Sequence, residues 1–183
     1  GWAVCFPLLF LSLAAQGVQT VEEYYVPLPE EQWQASLKSI SSDTSATIDS
    51  IISIVVWGSG AILYYDHWED GYEDKLNAPT QASTQVWGDG NDANGKPPDY
   101  AFDPYGLSKG AVILLRNCVD VPRDGSIVYD GRDRFASSRP LSVSRAGWAT
   151  IPGSVLCCMV YVNAIHDYGV HFACPIGEDV TLN

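Results

Sequence analysis

Between Asp66 and Asp74 the chain places five carboxylates, Asp66, Glu69, Asp70, Glu73 and Asp74. His67, Trp68 and Tyr72 lie among them, and Tyr64 and Tyr65 come just before. Two carboxylates held at a set separation across a sugar-binding cleft hydrolyse a glycosidic bond when one has a raised pKa. The neighbouring rings could stack on sugar faces. One reading is therefore a carbohydrate-binding or carbohydrate-cleaving domain built on Trp68, Tyr72 and the adjacent acids. The other is an acidic rim or an ion-pair network, and the spacing alone assigns no catalytic residue. The rim reading is preferred, because an acid cluster after a strand is ordinarily solvated or paired.

A second oxygen-rich stretch, Gly88–Gly95, offers Asp89, Asn91, Asp92 and Asn94 as calcium ligands, since Ca²⁺ takes carboxylate and carbonyl oxygens. Ala93 stands where an EF-hand loop needs an acid or amide, so the competing reading is a loop closed by Asx turns. Arg132, Arg134, Arg139 and Arg145 gather in one segment of an acidic chain. Paired with the 66–74 acids, their planar forks would pin loops to a sheet. His67, His166 and His171 have no metal-ligand spacing, and no C-x-x-C accompanies them. Nucleophile elbow, P-loop and dinucleotide fingerprint are all missing. A net charge of −12 argues against nucleic acid as a partner and suits cations.

These residues need elements to hold them. Apolar residues from Trp2 to Ala15, followed by small ones, predict a signal peptide over 1–20 whose start is truncated, and hence a secreted or surface location without a stable membrane span. Its removal takes Cys5 and leaves Cys118, Cys157, Cys158 and Cys174 as disulfide candidates with three connectivities. Cys157 and Cys158 are adjacent, so on a strand they point to opposite faces. Pro29 with Glu30 and Glu31 opens a helix whose apolar face is Trp33, Leu37 and Ile40. Ile51–Asp74 reads as a β-hairpin turned at Gly58-Ser59-Gly60, its first strand (44–57) covered on both faces. Further strands are expected at 24–28, 84–87, 111–116, 126–129, 141–145, 155–162 and 172–176, with turns between them. The expected fold is mainly β, an antiparallel sandwich-like domain over 21–183 with one short N-terminal helix, taken as the N-terminal part of a longer protein.

YYVPLPEEQW, YYDHWEDGYE, QVWGDGNDANG, DGRDRFASSRPLSVSRAGWA and PGSVL follow one another in this order. This string, running from Tyr24 to about Asp179, resembles large secreted or cell-surface proteins of microbes and algae. More distantly, the last third is similar to the IgGFc-binding protein N-terminal domain, through Arg139-Pro140-Leu141-Ser142-Val143, Asp167–Phe172 and Pro175-Ile176-Gly177. The resemblance implies a β-rich extracellular module of long, multi-domain surface proteins, structural or adhesive; self-association or contact with other surface proteins is then expected, and a further alternative is a protein-recognition module that binds host or neighbour proteins. It carries no catalytic residues over to this chain. Cys157-Cys158 and Cys174 depart from its pattern.

Overall fold

The computed structural model describes residues 20–40, 47–98, 106–150 and 156–167, with the backbone alone at 40 and 156–158. In chain order the elements are β1 (Glu22–Tyr25), α1 (Glu30–Ile40), β2 (Thr47–Val56), β3 (Leu63–Asp66), β4 (Gln85–Trp87), β5 (Val112–Asp120), β6 (Arg134–Ser137), β7 (Leu141–Ala149) and β8 (Leu156–Val162). They form two four-stranded sheets, ordered β1-β6-β3-β4 and β5-β2-β7-β8. Every strand pairing is antiparallel. The mainly β, sandwich-like fold expected from the sequence is therefore observed. The leader, residues 41–46 and the strand expected at 172–176 lie outside the described residues.

Side-chain alternation along each strand builds the core between the sheets. One cluster takes Tyr24, Ile52, Ile54, Val56, Leu63, Tyr65, Trp87, Ile113, Leu115, Phe135, Leu141, Val143 and Val162, so all eight strands contribute. Stacked rings fill its middle, with Tyr65 between Trp87 and Phe135 at centroid distances of 5.3 and 5.6 Å. At one end α1 lays Trp33 and Leu37 on Ile48 and Ala149. The outer face of the first sheet is covered too, as Leu76 from the 67–84 loop packs on Tyr64, Val86 and Ala136.

The structure corrects three local expectations. First, Ile51–Asp74 is not a hairpin: β2 and β3 belong to different sheets. β2 is held between β5 and β7 by long ladders that leave it no free edge. Gly58-Ser59-Gly60 is the crossover, tied down by Gly60 N–H to the Leu107 carbonyl at 2.9 Å. Second, β2 is not covered on both faces; its burial alternates strictly, with Ile48, Ser50, Ile52, Ile54 and Val56 inward. Third, Ser126–Tyr129 is a loop, because side chains rather than a ladder satisfy its backbone. Val128 N–H donates to Glu69 Oε1 at 3.3 Å, and Tyr129 N–H to Asn117 Oδ1 at 2.7 Å. The strand lies a few residues later, at β6, directly after what reads locally as a charged turn. Among the described residues no helix is long and apolar enough to cross a membrane.

Candidate functional site

Strand β3 sends Leu63 and Tyr65 into the core cluster and Tyr64 to the opposite face of its sheet. Asp66, the last residue of β3, shares that opposite face and sits across from Arg134, its register partner on β6. Arg134 Nη2 donates to Asp66 Oδ2 at 2.8 Å. The same carboxylate accepts Glu73 N–H at 3.0 Å and the Thr84 hydroxyl at 3.3 Å. Glu73 in turn accepts Thr80 N–H, Gln81 N–H and the Thr84 hydroxyl at 2.7, 2.6 and 3.1 Å. Burial opposes ionisation of Glu73, but the Gln81 and Thr80 donors outweigh it and hold the carboxyl below its ordinary range. Asp66 and Glu73 thus close the 67–84 loop onto the sheet. Asp70 is exposed and accepts from Ser83 at 2.6 Å. Asp74 is exposed as well, beside a surface depression of about 390 Å³ bordered by Tyr72, Lys75 and Ala78.

The four arginines divide. Arg134 meets the acidic cluster, and its guanidinium also lies 5.0 Å from the Tyr72 ring centroid. Arg132 pairs with Glu31 at 3.4 Å and stacks on Trp68 at 4.6 Å. Arg145 is fully buried, paired with Glu30 Oε1 at 2.5 Å and stacked 4.4 Å from the Trp33 ring. Arg139 is exposed, lies against Gly58 and makes no ion pair among the described residues. Pairing of all four with the 66–74 acids is therefore corrected to Arg134 alone. The reason is topological: α1 carries Glu30 and Glu31 over β7 and the 130–132 turn, which puts those acids closer. Arg123, in a Pro-Arg-Asp-Gly stretch that marks only a turn, binds Glu69 Oε1 at 2.5 Å.

Arg123 opens onto a second, deeper group. The Trp68 indole N–H donates to Asp130 Oδ1 at 2.9 Å, and Arg123 Nε lies 2.7 Å from Asp130 Oδ2 as a charge contact whose N–H is not aimed at the oxygen. Asp133 Oδ2 accepts the Tyr65 hydroxyl at 2.7 Å and Asp130 N–H at 3.1 Å. His67 Nδ1 is 3.5 Å from that oxygen and 3.2 Å from the Val128 carbonyl. His67, Asp130 and Asp133 are all nearly inaccessible. Burial, with Asp133 and Glu30 close by, pushes Asp130 up to about 7. Burial likewise raises Asp133, only partly offset by His67. On His67 burial acts downward, but Asp133 and Glu69 outweigh it and its pKa is raised. One ligand atom each from His67, Glu69 and Asp133 lies within 4.8 Å of the others. Asp130 and Asp133 carry no local signal of burial, since an Asp-Gly-Arg-Asp run has the composition of a surface turn.

In the 88–95 loop, Asp89 accepts Asn91 N–H at 3.0 Å and Asn94 Nδ2 at 2.7 Å, while Asn91 accepts Ala93 N–H at 3.2 Å. Those oxygens cap Asx turns, and Asp92 is exposed. Cys118 is exposed on β5 and has no disulfide partner among the described residues. Cys157 and Cys158 sit on β8, where only the backbone is described, and Cys174 and His171 lie outside the described residues. His166 is exposed, 3.4 Å from Asp167. No family model, no curated protein and no solved structure matches the chain.

Proposed function

We propose that this chain is a non-enzymatic extracellular module, structural or adhesive, that associates with copies of itself or with other surface proteins, as the subunit of a surface layer or filament. The observation that carries this reading is the internal use of the acid–aromatic signature. Asp66 is bound by Arg134, Glu69 by Arg123, and Glu73 by its own loop. Arginine also lies over the Trp68 and Tyr72 rings that a sugar would stack on. The apolar leader and the charge of −12 support an extracellular setting. The outer face of the second sheet supplies a contact surface. There Val112, Leu114, Met159 and Tyr161 are exposed on the two edge strands, with Ile51, Ser53 and Val55 of β2 and Ser142, Ser144 and Ala146 of β7 between them.

The test joins electron microscopy of the native material with a glycan array on the recombinant protein. Ordered assemblies with an interface above about 1,000 Å² and a blank array are expected. Glycan binding by a strictly monomeric protein would overturn the proposal in favour of a carbohydrate-binding domain.

A further inference from the structure

Glu69 and Asp133 share an unusual state. Among the described residues, each has one oxygen fully engaged and the other buried without a hydrogen-bond partner. Glu69 Oε1 takes Arg123 Nη2 and Val128 N–H, while Oε2 takes nothing. Asp133 Oδ2 takes the Tyr65 hydroxyl and Asp130 N–H, while Oδ1 takes nothing. A buried carboxylate oxygen left without a partner forfeits its hydration with no compensation, so it is normally matched by a donor, a water or a cation. Both unmatched oxygens belong to residues that, together with His67, each bring one possible ligand atom within 4.8 Å of the others.

Charge balance points the same way. Around this group four carboxyls are buried, Glu30, Glu69, Asp130 and Asp133, against two guanidiniums, Arg123 and Arg145. With His67 neutral, as a metal ligand must be, four carboxylates less two guanidiniums leave a shortfall of two positive charges.

We propose that His67, Glu69 and Asp133 form a buried binding site for one divalent transition-metal ion of the zinc class. The donor set decides the class. One imidazole nitrogen with two carboxylate oxygens is borderline in softness and suits zinc or its neighbours, whereas calcium and magnesium favour sites made of oxygen alone. The engaged oxygens already have the outer-shell donors that orient metal-binding carboxylates, namely Arg123, Tyr65 and two backbone N–H groups. The role is structural. The ion would join the end of β3 to the 128–133 segment that leads into β6, and so lock the signature loop to the first sheet. This stands apart from the assembly proposal, because metal binding is read on the monomer.

The experiment loads the chelator-stripped, folded protein with zinc, calcium or magnesium chloride, dialyses it and counts bound metal. Thermal unfolding and the visible spectrum of the cobalt-substituted protein are read in parallel. One equivalent of retained zinc, a raised melting temperature and cobalt bands of a nitrogen–oxygen site are expected. His67→Gln and Glu69→Gln should each weaken zinc binding by about 100-fold or more. Binding that persists in both variants assigns the metal to cysteine or to His166 and overturns the proposal. So does retention of calcium in place of zinc. If neither variant folds, the wild-type protein still decides, since failure to retain zinc means that protons and water fill the site.

Discussion

Glu73 takes four hydrogen bonds from three residues of one loop, Thr80, Gln81 and Thr84. A charged acceptor is required, because bonds to a charged group are worth about 1.5–3 kcal/mol and the loop has no strand partner to replace them. The donors hold the folded pKa of Glu73 below its ordinary 4.5 despite burial. A depressed folded pKa gives stability that is fully present above the unfolded value and lost as pH falls through the folded one. Stability should therefore decline on acidification below about pH 4.5. Glu73→Gln should cost about 1.5–3 kcal/mol at neutral pH and flatten that acid limb. Denaturant titrations at a series of pH values measure both. Identical acid slopes in variant and wild type would remove Glu73 from the account.

At the scale of elements, the helix is held by a missing side chain. Gly147 of β7 faces α1, and a Cβ there would sit 1.9 Å from Trp33 Cζ3. The indole therefore packs directly against the strand backbone, and Arg145, two residues earlier, stacks on its ring. Gly147→Ala should cost about 1–3 kcal/mol by overpacking and loosen α1 from the sandwich end. Adding Trp33→Leu should restore part of the melting temperature. No rescue would mean that the clash is not what the glycine avoids. Much at this scale was legible in the sequence. Pro29, Glu30 and Glu31 mark the start of α1, and the β-branched run marks β2. Pairing was not legible, because the apolar runs on either side of Gly58–Gly60 suit a hairpin and a crossover equally. Only the ladders of β2 with β5 and β7 decide between them. β6 was hidden because its four residues follow a charged turn and draw their burial from strands distant in sequence. Within the candidate site, the Asp66–Arg134 pair follows from charge complementarity. The buried Asp130 and Asp133 follow only from the fold, which folds the 130–133 turn under Trp68 and Tyr65.

For the whole molecule, charge and surface oppose each other. A net charge of −12 repels copies of the chain, and at physiological ionic strength that repulsion is screened beyond about 8 Å. The outer face of the second sheet works against it at contact range. Leu114, Ser53, Ser144 and Tyr161 form one continuous row across β5, β2, β7 and β8, with Leu114 and Tyr161 exposed at 47% and 61%. Self-association should accordingly strengthen with added salt, as screening removes the repulsion and leaves the apolar contact. Leu114→Glu with Tyr161→Glu places two further charges at the ends of that row. Both side chains are already largely in water, so folding stability should change by no more than about 0.5 kcal/mol for each. Sedimentation across a concentration and salt series should find the wild type growing in mass and the double variant remaining monomeric. A double variant that assembles as well as the wild type, at an unchanged melting temperature, would show that the contact lies elsewhere. The outer strands of the first sheet, β1 and β4, each paired on one side only among the described residues, would then be the surfaces to alter, because an unpaired strand edge recruits neighbours through its backbone and is indifferent to charges on the far face.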